Sequence, residues 1–285
     1  EKLHWVCENI HLGLDVLLQE LTTFPSIQFG LEQAFLSLKS QTSFELFPTK
    51  FTQGKEAINI NGLIWMGDKD FMKSQIKEKL VAGFSCIKMK IGAIDFETEL
   101  SLLKSIRKEF SSNEVVLRVD ANGAFKPDEA LEKLEKLAKF DIHSIEQPIQ
   151  QGQIEAMADL CAKTSVPIAL DEELIGIFSS EERQQLLATI QPQFIILKPS
   201  LLGGFVNSLE WITLATQNDC GWWITSALES NVGLNAIAQF TYHLKNSLPQ
   251  GLGTGSLFTN NFESPLEINN GKLHYNNTKN WNFIL

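Results

Sequence analysis

The sequence predicts an α/β fold: a barrel of alternating strands and helices, with a cap built from the two ends of the chain. Three observations predict it. Eight short apolar or β-branched runs start roughly 25 to 30 residues apart, about one strand, one helix and two loops. Helical patterns fill the intervals between them. No glycine-rich phosphate loop follows an early strand, as an open doubly wound sheet would require.

Taken in order, residues 1–60 fall outside the period and form a cap segment with amphipathic helical patterns. The clearest is 27–38, where Leu31, Ala34, Phe35 and Leu38 are expected to share one face. The barrel occupies 61–255, with strand-like runs at 62–65, 86–90, 115–120, 142–146, 167–171, 194–198, 222–226 and 251–254. A typical interval is 128–140, where Ala130, Leu131, Leu134, Leu137 and Ala138 keep helical spacing behind Pro127 and Asp128, residues that suit a helix start. Residues 256–285 read as short strands returning to the cap, with Asn269-Asn270-Gly271 as a turn.

Composition narrows the function. A chain of 285 residues, 44% hydrophobic and 20% charged, is long enough to bury a full core. A net charge of −10 argues against a nucleic-acid partner, yet admits an anionic substrate wherever a cation and lysines reverse the field locally. Four cysteines (Cys7, Cys86, Cys161 and Cys220) lie far apart without a CxxC, which reads as reduced thiols in a cytoplasmic protein. No stretch is long and apolar enough for a membrane span, and the N-terminus lacks a signal-peptide pattern. The chain starts at Glu1 without a methionine, so a missing upstream segment is expected. Nothing marks a subunit interface.

The chemistry gathers at strand ends. Asp120 in Arg-Val-Asp-Ala-Asn, Glu146 in Ile-Glu-Gln-Pro and Asp171 in Ala-Leu-Asp-Glu-Glu close three successive runs, so they converge at the C-terminal mouth of a barrel. Any one alone reads as a helix cap. Three together repel one another and need a cation, and an all-oxygen set suits a hard ion such as Mg²⁺, with Mn²⁺ as a substitute. Lys88 and Lys90 are two apart and share the inward face of the preceding strand, while Lys198 ends the strand on the far side of the acids. The bland alternative is surface lysines whose stems cross the rim. A lysine can remove a proton next to a carboxylate while a metal offsets the charge that develops.

Lys-Met-Lys, Asp-Ala-Asn, Glu-Gln-Pro, Asp-Glu-Glu and Leu-Lys-Pro, in this order, resemble the muconate-lactonizing subgroup of the enolase superfamily, over about residues 62–254. That superfamily is a known case of a lysine base working beside Mg²⁺ on an enediolate. The resemblance implies a (β/α)₇β modified TIM barrel with an α+β capping domain, and Asp120, Glu146 and Asp171 as the Mg²⁺ ligands. It makes Lys90 the general base, with Lys88 beside it, and Lys198 a cation stabilising the intermediate. Within the subgroup the chain most resembles the o-succinylbenzoate synthases, which implies a dehydration serving menaquinone synthesis.

Substrate contacts rest on weaker likenesses. Arg118 lies two before Asp120, where those synthases also carry arginine, and Asn122 follows in Asp-Ala-Asn. Thr225 and Ser226 open a stretch similar to Ser-Ser-x-x-Glu-Ser, whose hydroxyls and amides hold a substrate carboxylate; ordinary strand and helix-cap chemistry is the alternative. Gly251-Leu252-Gly253-Thr254 resembles Gly-Leu-Asp-Thr with Gly253 in place of the acid, and Gly251 is taken as a substrate contact. Dipeptide epimerases place Asp-x-Asp here, so that reading weakens. Phe125 stands where tryptophan is common, and the family's mobile covering loop would precede Glu1. The rivals are an N-succinylamino acid racemase with Lys90 and Lys198 as opposed bases, and a non-catalytic barrel that binds a small carboxylate.

Overall fold

The structure, a computed structural model, describes residues 1–282. The N-terminal segment is helical: α1 (Lys2–Asn9), α2 (Leu14–Glu20) and α3 (Pro25–Lys39). Helix α3 starts on Pro25, whose missing N–H costs nothing in a first turn. Val6, Leu17, Leu21 and Leu31 form a small apolar cluster, while Phe29 packs into the main core. Of the face expected from the spacing, Leu31 and Phe35 join this cluster, Ala34 is exposed, and Leu38 is 82% exposed. It lies seven residues beyond Leu31, about 10 Å further along the helix axis, where α1 and α2 no longer cover it.

A short strand, β1 (Ile58–Asn59), leads into the barrel, which begins with β2 (Gly62–Ile64), α4 (Lys69–Val81), β3 (Cys86–Lys90), α5 (Phe96–Glu109), β4 (Val116–Asp120), α6 (Pro127–Ala138) and β5 (Ile142–Glu146). It continues through α7 (Ile154–Lys163), β6 (Ile168–Leu170), α8 (Ser180–Ile190), β7 (Phe194–Leu197), α9 (Pro199–Leu202), α10 (Gly204–Gln217), β8 (Gly221–Ile224) and α11 (Asn231–His243). Strands β2 to β8 form one parallel sheet in sequence order. Each helix buries its apolar stripe outside that sheet; Ala130, Leu134 and Leu137 of α6 do so as their spacing requires.

The last run, 251–254, does not become a strand. It is reduced to two parallel bridges, Thr225 with Gly251 and Ile60 with Gln250. Their backbone bonds still join the two edges of the sheet. Gly251 N donates to Ile224 O (2.8 Å) and Gln250 N to Asn59 O (2.9 Å). Glycines and Leu248-Pro249 leave little side chain to pair and one residue without a donor, so the closing strand stays short. Inside the ring, Ala169, Ile196 and Trp223 pack together.

A second sheet, antiparallel, has the order β1-β10-β9, with β9 (Leu266–Asn269) and β10 (Lys272–Tyr275). Asn270 and Gly271 join them at φ 50° and 66°, the left-handed pair that a two-residue hairpin turn demands. Residues from both ends of the chain therefore meet in one small sheet beside the barrel.

Candidate active site

Strand register assembles the site. Lys90 pairs with Asp120, and Asp120 with Glu146, so three neighbouring strands end level. Asp171 follows β6 by one residue and begins a 3₁₀ turn; Lys198 follows β7 by one residue, because Pro199 opens α9. Both strands stop a residue earlier than the sequence suggested, and the side chains still reach the mouth. Gln147, at φ 39°, ties the ends of β5 and β6 together. Its amide donates to Glu173 (2.9 Å), and its oxygen accepts from the backbone of Asp171 and Glu173 (3.3 Å each).

The three acids are almost fully enclosed: Asp120 is 0%, Asp171 2% and Glu146 3% exposed. Lys88 lies between two of them, 2.8 Å from Asp120 and 2.5 Å from Glu146. Lys90 donates to Asp120 (2.6 Å) and to Asn122 Oδ1 (2.5 Å), and Lys198 donates to Asp171. Lys90 and Lys198 thus stand on opposite sides of the carboxylates, as their strand order required.

Electrostatics follow from this crowding. Burial pushes the Glu146 carboxyl well above its ordinary range, and the Asp120 charge adds to it. Burial also works against charge on Asp120, but the Lys88 and Lys90 ammoniums outweigh it and hold that carboxyl low. Lys88 is disfavoured as a cation by burial, yet Asp120, Glu146 and Asp171 more than restore it, raising its pKa. Lys198 is likewise raised, burial being overcome by Asp171 and Glu146.

The donor set fits a hard divalent cation. Three carboxylates face one enclosed space, and Glu146 Oε2 is buried without an aligned hydrogen-bond donor. Among the described residues no three acidic, imidazole or thiol groups already form a finished cation cage. The acids are turned onto ammoniums instead.

The remaining site residues divide. Arg118 faces inward, 2% exposed, but runs toward the barrel floor. Its guanidinium stacks 3.9 Å from the Trp223 ring centroid and donates to Pro249 O (2.8 Å), leaving Nε and Nη2 unpartnered. Asn122 sits at the mouth beside Lys90. Thr225 donates its hydroxyl to Gly251 O (2.9 Å), and Ser226 donates to Glu229 (2.6 Å) while accepting from Thr254 (2.9 Å) and Leu228 N (2.9 Å). Both hydroxyl protons are therefore engaged within the protein. Gly251 lies so close to Thr225 that an added Cβ would meet its Oγ1 at 2.1 Å.

Two residues escaped the sequence reading. Glu229 gathers Ser200, Ser226 and the Ala227 amide, and Glu172 accepts from Asn122 (2.8 Å). Glu172 stood in the quoted Asp-Glu-Glu, but strand alternation would have sent it away from the mouth; the 3₁₀ turn brings it back.

Comparison with known proteins places this geometry. The enolase C-terminal domain-like family matches residues 72–279. An o-succinylbenzoate synthase of Desulfotalea psychrophila is 54% identical over 250 residues, covering 88% of this chain and 68% of that protein. The crystal structure of MenC from the same organism superposes with a TM-score of 0.83 at 52% identity, over 88% of this chain and 69% of the other. An L-Ala-D/L-Glu epimerase of Bacillus subtilis is 25% identical over 194 residues, covering 67% of this chain and 52% of its own length. Muconate lactonizing enzyme from Pseudomonas putida shares the fold, with a TM-score of 0.77 at 22% identity over 92% of this chain and 74% of that one. The chain spans about two thirds of the synthase's length and about half of the epimerase's. No helix among the described residues is long and apolar enough to cross a membrane.

Proposed function

The chain belongs to the enolase superfamily, in its o-succinylbenzoate synthase family, and on that premise we infer that it dehydrates 2-succinyl-6-hydroxy-2,4-cyclohexadiene-1-carboxylate to o-succinylbenzoate, a step of menaquinone biosynthesis. The observation that carries the reading is the pair Lys90 and Lys198 set on either side of three buried strand-end acids.

Asp120, Glu146 and Asp171 would hold Mg²⁺, with Mn²⁺ able to replace it. When bound, the cation supplies positive charge next to the substrate carboxylate, where charge builds as the proton leaves. Lys90 takes the proton alpha to the carboxylate, leaving an enediolate. The Lys198 ammonium faces that intermediate from the other side. Protonated Lys90 returns its proton to the departing ring hydroxyl, so water leaves and the ring becomes aromatic. Aromaticity drives the step, and the site contributes mainly positioning. Arg118, Asn122, Thr225, Ser226 and Gly251 surround the substrate in this reading, the first from the barrel floor. In this reading residues 1–60 and 256–285 make up the cap of the barrel at 61–255, with 283–285 lying outside the described residues. A small carboxylate is the only partner the reaction needs, and the cytoplasm supplies it.

The test is Mg²⁺-dependent loss of substrate ultraviolet absorbance, run beside a racemisation assay on N-succinylamino acids. Dehydration without racemisation supports the reading; racemisation alone assigns the site to the racemase chemistry. Lys90→Ala should abolish turnover with the fold intact, and near-normal turnover in that variant would sink the mechanism.

A further inference from the structure

We propose that Glu172 is a positioning residue for the general base, acting through Asn122; the proposal rests on the role given to Lys90 above. Three side chains from three different strand ends form one hydrogen-bonded line. Lys90 Nζ donates to Asn122 Oδ1 (2.5 Å), and Asn122 Nδ2 donates to Glu172 Oε1 (2.8 Å). Asn122 itself is held at φ 43°, in the left-handed region, and its backbone N–H donates to Asp120 Oδ1 (3.0 Å). Its backbone is thus fixed, and what remains free is the final amide torsion.

That torsion decides what Lys90 meets. The oxygen and nitrogen ends of an amide are nearly the same shape, so sterics alone do not choose between them. An ammonium needs the oxygen; the flipped amide would present N–H groups to Nζ. A carboxylate only accepts, so Glu172 can face only the NH₂ end. Glu172 therefore excludes the flipped amide and leaves Oδ1 aimed at Lys90. Its second oxygen, Oε2, is buried without a hydrogen-bond partner, a cost that a residue with no task at this site would be expected to shed. Among the described residues, the side chain of Glu172 bonds to Asn122 alone.

The experiment compares wild type, Glu172→Ala and Glu172→Gln with the synthase substrate and Mg²⁺, alongside melting curves and crystal structures. Removing the carboxylate should lower kcat about tenfold to a hundredfold, the range for a lost hydrogen bond to a charged group, with KM within about threefold. The melting temperature should hold, Lys90 Nζ should leave Asn122 Oδ1 in the crystal, and Glu172→Gln, whose amide can donate as well as accept and so pairs with either end of Asn122, should also lose kcat although it keeps the size of the side chain. The proposal is overturned if Glu172→Ala keeps kcat within about twofold, if the loss lies in KM, or if Glu172→Gln turns over as fast as wild type. A wild type that fails to dehydrate the substrate rejects the proposed function instead. The crystal structures then decide the positioning role alone: an unmoved Lys90–Asn122 contact in Glu172→Ala overturns it.

Discussion

Replacing Lys88 with methionine should destabilise the metal-free protein sharply and make it depend on a divalent cation. The Lys88 ammonium lies 2.8 Å from Asp120 and 2.5 Å from Glu146, and its side chain is only 12% exposed. At an effective dielectric of about 20, each contact is an attraction of about 6 kcal/mol. Desolvating the ammonium opposes this by several kcal/mol, so removing one partner of such a buried set costs about 3–5 kcal/mol. Methionine keeps most of the volume, which confines the loss to charge. Two nearly unexposed carboxylates then face each other, with Glu146 already pushed toward its neutral form by burial and by Asp120. Urea unfolding of wild type and Lys88→Met, each in EDTA and in Mg²⁺, reads the effect. The variant should lose that stability in EDTA and regain more of it with Mg²⁺ than wild type gains. A variant within about 1 kcal/mol of wild type in EDTA, or one indifferent to Mg²⁺, would refute the reasoning.

Gly251→Ala tests the barrel closure: its Cβ would meet Thr225 Oγ1 at 2.1 Å and Thr225 Cβ at 2.6 Å, so stability should fall by about 1–3 kcal/mol in urea unfolding. Equal stability would mean the closing segment yields freely. The His143 ring stacks on Phe194, with centroids 5.0 Å apart, and burial with the Arg118 charge lowers its pKa from 6.5 to about 4. Because the folded pKa is depressed, the contribution is whole above pH 6.5 and is lost as pH falls through about 4. It amounts to about 2 kcal/mol once partial exposure is allowed for. His143→Phe should flatten that part of the stability–pH curve; an unchanged curve would assign the acid sensitivity elsewhere.

The strand-end acids and lysines were legible because barrel strands repeat at a fixed interval and side chains alternate. Asp120, Glu146, Lys88 and Lys90 follow from those two rules alone. The helix at Pro127 was legible for a similar reason, its apolar spacing and its proline agreeing. Leu38 was misread because periodicity gives a direction around a helix axis and says nothing about where the covering surface ends. The hydroxyls of Thr225 and Ser226 could be placed near the site from sequence, but not their partners. Glu229 lies only three residues beyond Ser226, but Gly251 and Thr254 reach the two hydroxyls from the closing segment, and only packing brings that segment to them.

Sequence by itself thus determined the strand period, the faces and the ionisable groups at the barrel mouth, all consequences of local backbone geometry. Tertiary structure alone decided that the last run closes the ring through two bridges, that Arg118 stacks toward the floor on Trp223, and that Glu172 turns back to Asn122. Each of these depends on contacts between residues far apart in the chain, where local propensity carries no information.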